Sequence, residues 1–130
     1  MKLVIYIFII LFAQISLAQK DSNYVVENDT DIPPQFPGGL IAQQKFINDN
    51  FIYPTKAKEN GIEGSCYVSF VIDTLGKINN IKVVRGIKNC TECDDEAKRL
   101  ISIMPNWIPS MVNGKPKECK INYPLKFRFK

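Results

Sequence analysis

The spacing of hydrophobic residues changes repeatedly between Phe36 and Lys130, and each change marks an element. Phe36-Pro37-Gly38-Gly39 reads as a turn, after which Leu40, Gln44, Ile47 and Phe51 recur at helical spacing with Phe46 alongside, predicting a first helix over about 40–50. Tyr53-Pro54 opens a second, short helix, because proline is favoured at the first helical position, and Asn60-Gly61 closes it with a pair suited to a left-handed cap. From Gly64 the period becomes two: Cys66, Val68, Phe70 and Ile72 point one way, and Tyr67, Ser69, Val71 and Asp73 the other. Asp73 to Lys77 is a hairpin connection. Ile78 to Arg85 returns antiparallel, its alternation slipping at Asn79-Asn80 as a bulge would make it. A third helix comes next, with Asp94 as its cap, Glu92, Asp94, Asp95 and Glu96 at the positive end of its dipole, and Ala97, Leu100, Ile101 and Met104 as its buried stripe up to Pro105. Beyond a loop anchored by Trp107 and the Asn113-Gly114 turn, Cys119, Ile121, Tyr123, Leu125, Phe127 and Phe129 alternate with Lys120, Asn122, Pro124, Lys126, Arg128 and Lys130. The pattern predicts an α+β chain of three helices and three strands, the first two strands paired antiparallel.

One residue places the last strand. Pro124 has no amide hydrogen to give to a ladder, so its strand belongs at a sheet edge with the proline nitrogen facing away from the neighbour. Charge gathers there too: 115–130 holds six basic residues and one acid, net +5, whereas 19–114 holds ten basic and twelve acidic, net −2. Lysines and a proline on an edge keep it from pairing with copies of itself. The same edge could instead dock an extended peptide, which would gain backbone hydrogen bonds by adding a strand. The residues alone leave both readings open.

The polar stretch 19–35, with Pro33-Pro34, has too few apolar residues to offset chain entropy and reads as a flexible leader to a domain over 36–130. Before it, Met1-Lys2 supplies positive charge, Leu3 to Ala13 an uncharged apolar run and Ser16-Leu17-Ala18 a cleavage site, so 1–18 is expected to be a secretory signal. An uncleaved inner-membrane anchor is the alternative, but the run reaches Gln14 before the about 20 apolar residues that a bilayer needs. The mature chain from Gln19 would be exported and hold no stable membrane span.

The chain has 130 residues, no histidine and four cysteines, which removes Ser-His-Asp and Cys-His catalysis and any zinc site containing histidine. A net charge of +4 falls short of the dense basic stripes that would indicate nucleic acid, and no cofactor is implied. In an exported chain the cysteines point to disulfides, with three connectivities possible. Hairpin geometry brings the loop with Cys90 and Cys93 beside Cys66, so Cys90 and Cys93 are expected to bond to each other or to Cys66, with Cys119 left out. Cys90-Thr91-Glu92-Cys93 also has the spacing of a redox pair, which makes an exported thiol-disulfide oxidoreductase the alternative function. Against it stand the neighbouring acids and a helix expected to begin only after Cys93.

The order of elements, with Tyr53-Pro54, Gly61-Ile62-Glu63-Gly64, Val68-Ser69-Phe70-Val71-Ile72-Asp73, Gly76-Lys77-Ile78, Glu96-Ala97, Met104-Pro105-Asn106-Trp107-Ile108-Pro109 and Gly114-Lys115-Pro116, resembles the TonB C-terminal domain. The Phe36-Pro37-Gly38-Gly39 opening and the Tyr123-Pro124-Leu125 to Phe129 ending are similar to the version common in the Bacteroidetes group. The resemblance implies an α+β, two-layer fold with helices packed on a three-stranded antiparallel sheet and the C-terminal strand at an edge, in a periplasmic, non-enzymatic domain that binds the TonB box, a short peptide of outer-membrane transport receptors, by strand addition to that strand. It implies partner-binding roles for Ile121, Asn122, Tyr123, Leu125, Lys126, Phe127 and Arg128, with Tyr53 and Pro54 flanking the same groove. The ExbB and ExbD motor proteins would be further partners, reached in the family through a membrane helix and a proline-rich linker, where this chain shows a cleavable signal and a leader with two prolines.

Overall fold

The computed structural model describes residues 31–129; the expected signal and 19–30 of the expected leader lie outside the described residues. In chain order the elements are α1 (Gly39–Asn50), α2 (Thr55–Glu59), β1 (Gly64–Ile72), β2 (Ile78–Arg85), α3 (Thr91–Ser102), β3 (Ser110–Val112), β4 (Lys115–Lys117) and β5 (Cys119–Phe127). The main sheet runs β2-β1-β5, antiparallel throughout. The three strands are those the alternation predicts, the sheet is the one the resemblance implies, and Pro124 stands opposite Tyr67 on the outer strand.

Side chains of one parity face the helices. Cys66, Val68, Phe70 and Ile72 of β1 and Ile121, Leu125 and Phe127 of β5 are buried, with Ala97, Leu100 and Ile101 of α3 in the same core. Each full aliphatic or aromatic burial contributes about 1.5–3 kcal/mol. The Asn79-Asn80 slip is a true register shift, with Asn80 at φ 52, and a second shift, between Tyr67 and Val68, sits near the other end of β2. Between β1 and β2, Asp73 accepts from the Leu75 and Lys77 amides, each at 2.9 Å. Gly76 at φ +85 receives the Trp107 amide on its carbonyl at 2.8 Å, and a Cβ there would stand 1.9 Å from the Trp107 oxygen. Only glycine allows Trp107, in contact with Phe36 and Phe70, to close the core this tightly.

The structure departs from the sequence expectation at four places. On α1, Leu40 is 83% exposed and Gln44 is exposed, while Gln43 and Ile47 are buried. Phe36, in edge contact with Trp107, packs its ring tilted at 49° against Phe46, centroids 5.7 Å apart, and so sets the rotation of the helix. On α3 the cap is Cys90, whose sulfur accepts from the Cys93 amide at 3.1 Å, and not Asp94. Asp94 lies within the first turn and accepts from the Ile87 amide at 3.1 Å. The last residues of the expected flexible leader are paired: Ile32 exchanges backbone hydrogen bonds with Met111, and Gln35 with Ile108. Finally, the Asn113-Gly114 turn joins β3 and β4 as a separate two-stranded ribbon, too short to show as alternation.

Candidate functional site

The free edge of β5 faces a groove of about 780 Å³. One wall is α1 and the chain after it: Gln44, Ile47, Asn48, Phe51 and Tyr53, with Lys58 of α2. The other wall is the second half of β5 and its C-terminal extension: Tyr123, Pro124, Leu125, Lys126, Arg128 and Phe129. Tyr53 donates its hydroxyl to the Ile62 carbonyl, and its ring stacks on Phe129 with centroids 4.9 Å apart. Phe127 meets Phe51 at 5.0 Å and Tyr53 at 5.8 Å, so an aromatic cluster ties the two walls together. Desolvation, then the Glu63 charge, raises the Tyr53 pKa, and burial raises that of Tyr123; both phenols stay neutral donors well into the alkaline range.

The α1-α2 connection that carries Phe51 and Tyr53 is fastened from behind. Glu96, only 8% exposed, accepts from the Ile52 amide at 2.7 Å and pairs with Arg99, whose guanidinium also donates to the Asn50 carbonyl at 2.7 Å. The sequence offered Glu96 only as one of four acids near a helix start; its burial depends on a partner 44 residues away.

Of the residues marked from the sequence, Tyr53, Tyr123, Leu125, Lys126 and Arg128 line the groove. Ile121 and Phe127 are buried on the core face of β5, Asn122 is exposed on the opposite face, and Pro54 is the N-cap of α2, off the groove wall. Gln44, Ile47, Asn48, Phe51, Lys58, Pro124 and Phe129 also line the groove and were not marked as binding residues from the sequence. The Gln44–Asn48 side-chain hydrogen bond at 3.1 Å has the i,i+4 spacing that marks a shared helix face, the one available signal. The groove is basic, since Lys58, Lys126 and Arg128 line it and no acid does.

Cys90 and Cys93 form a disulfide with Cα atoms 5.2 Å apart, while Cys66 and Cys119 are free. The helix begins directly after Cys90, so the expectation that it starts after both cysteines is corrected. A helix N-terminus favours a thiolate. Yet Cys90 is 2% exposed and Cys93 fully buried, which leaves an incoming sulfur no approach. Cys66 is also buried and donates to Asp94 at 3.5 Å; desolvation, then the Asp94 charge, pushes its thiol up to about 12.

This fold has known counterparts. The model of the Gram-negative bacterial TonB protein C-terminal family matches residues 49–129. The chain belongs to the TonB C-terminal family. Among solved structures it is similar to the Pseudomonas aeruginosa TonB C-terminal domain, at 25% identity and TM-score 0.54, over 84% of this chain and 97% of that one. The Helicobacter pylori TonB C-terminal domain is 27% identical with TM-score 0.50, covering 67% of this chain and 77% of that one. No curated protein matches the chain. TonB C-terminal domains are periplasmic in Gram-negative bacteria, serve TonB-dependent transport and interact with outer-membrane receptors. Among the described residues no helix is long and apolar enough to cross a membrane.

Proposed function

We propose that this chain is exported to the periplasm by a cleaved signal over 1–18 and binds the TonB box of an outer-membrane receptor as an added strand on β5. The observation that carries this reading is the groove itself: a free strand edge, an aromatic wall from Phe51 and Tyr53, and cations without a lining acid occupy one continuous site. The direction of the free hydrogen-bonding groups supports it. Phe129 donates its amide to Glu63, which precedes β1, at 2.8 Å, so amides of that parity turn inward. By alternation the amides of Asn122 and Lys126 share the outward parity of Pro124, where a missing donor leaves the β1 ladder intact.

An incoming segment of about six residues would form several backbone bonds worth about 1 kcal/mol each and lose its own chain entropy, which sets affinity near micromolar or weaker. Lys58, Lys126 and Arg128 favour acidic flanks on the peptide, so binding weakens with salt. Titration of TonB-box peptides tests the reading. Asn122→Pro and Lys126→Pro each remove one outward donor and should weaken binding about fivefold, with circular dichroism unchanged. Two folded variants that bind like the wild type would contradict strand addition. Intact mass of the periplasmic chain should begin at Gln19; the full chain in the inner membrane would mean an anchor, and would favour direct contact with ExbB and ExbD. Turnover in insulin reduction that Cys90→Ser abolishes would instead favour the oxidoreductase.

A further inference from the structure

The sheet has a second face, away from the helices, that the strand-addition reading touches only along β5. Its register puts Ser65, Tyr67, Ser69 and Val71 of β1 on the side away from the buried core, flanked by Arg85, Lys82 and Asn79 of β2 and by Lys126, Pro124, Asn122 and Lys120 of β5. The three strands contain no Asp or Glu. Every charged residue in them is a cation, and all four, Lys82, Arg85, Lys120 and Lys126, are exposed on this one face. None of the four is in an ion pair among the described residues. The acids at the two ends of β1 are already engaged, Glu63 with the Phe129 amide and Asp73 with the Leu75 and Lys77 amides.

The spacing of the cations says what they fit. Lys120 and Lys126 are six residues apart on one strand, about 20 Å, while Lys82 and Arg85 lie on the far strand about 10 Å across the sheet. A small anion cannot touch all four, whereas an extended surface of repeated anionic groups can. The central strand of the face is uncharged: Tyr67 is 40% exposed, with the Arg85 guanidinium 6.0 Å from its ring centroid, and Ser69 is buried, while Val84, 65% exposed, lies on the edge strand β2. A tyrosine and an aliphatic side chain framed by cations match a bilayer interface, where the ring sits at headgroup level and basic residues meet lipid phosphate. A single tyrosine is too little aromatic surface for stacking of nucleic-acid bases.

We propose that this face rests on a membrane leaflet containing anionic phospholipid, which would hold the domain beside the bilayer while the β5 edge stays free for a peptide. The proposed face shares Lys126 and Pro124 with the groove wall, but Lys82 and Arg85 lie outside the groove, so substitution at those two separates this proposal from the strand-addition reading. The test is co-sedimentation of the exported chain with vesicles of phosphatidylglycerol and phosphatidylethanolamine, against vesicles of phosphatidylcholine alone. Binding is expected only to the anionic vesicles, and should be lost in high salt. Lys82→Gln/Arg85→Gln, on the strand far from the groove, should lower vesicle affinity roughly thirtyfold while TonB-box peptide binding stays unchanged, which also shows that the variant is folded. Equal binding to both vesicle types, no binding to either, or full vesicle binding by the double variant would overturn the proposal.

Discussion

Replacing Glu96 by alanine tests whether the groove wall is held from behind. The carboxylate accepts from the Ile52 amide at 2.7 Å and from Arg99 Nη2 at 2.8 Å, within a side chain only 8% exposed. Hydrogen bonds to a charged group contribute about 1.5–3 kcal/mol. The Arg99 side chain is 38% exposed, so water takes over part of what it loses, and the larger cost is the Ile52 amide and the freed connection around it. The expected destabilisation is about 2–3 kcal/mol, read as a shift of the urea midpoint at constant slope. Glu96→Gln keeps an acceptor for the amide and should lose about half as much. Because the connection carries Phe51 and Tyr53, peptide affinity should fall in Glu96→Ala even where the protein is fully folded. An alanine variant within about 0.5 kcal/mol of wild type, with unchanged peptide binding, would refute the reasoning.

Gly76→Ala should cost about 3 kcal/mol or more by urea denaturation, since its Cβ would lie 1.9 Å from the Trp107 oxygen. Gly114→Ala, with a similar φ of +76 and nothing within 4 Å, should cost only about 1 kcal/mol, and equal losses would show that the Trp107 contact is immaterial. A chromogenic disulfide reagent at pH 8 should label Cys119 readily and Cys66 only after denaturation; rapid labelling of both would contradict the burial of Cys66. The Cys66 thiol is raised from 9.0 to about 12, so the folded state holds its proton where the unfolded chain releases it. Its contribution is therefore full below pH 9 and declines from there to about pH 12, with Tyr53 and Tyr123 acting in the same direction. Cys66→Ala should flatten that alkaline decline in a series of urea midpoints.

What could be read from the sequence is what local periodicity controls. The bounds of β1 and β2, the slip at Asn79-Asn80 and the edge position of Pro124 come from alternation and from one missing amide hydrogen. What escaped depends on distant partners. On the buried face of α1 Ile47 was expected, but Gln43 takes the place of Leu40 and Gln44 because Phe36 packs on Phe46, a choice that a weakly amphipathic helix leaves to its surroundings. The start of α3 was hidden because its cap is a cysteine sulfur tied to Cys93, where oxygen-bearing side chains are the usual sign. Ile32 and Gln35 look like leader residues until β3 and the loop before it supply the backbone of Met111 and Ile108. The groove was half legible: the β5 side and Tyr53 came from alternation and family resemblance, but Lys58, Phe51 and the Gln44–Asn48 face only from the approach of α1 to the strand.

The most direct measurement is amide hydrogen exchange along β5 with and without a TonB-box peptide. In the free protein the outward amides of Asn122 and Lys126 should exchange quickly, while those of Tyr123 and Leu125, turned toward β1, are protected. Saturating peptide should slow Asn122 and Lys126 and leave Tyr123 and Leu125 little changed. Peptide that binds while Asn122 and Lys126 go on exchanging at their free rates would contradict strand addition at this edge.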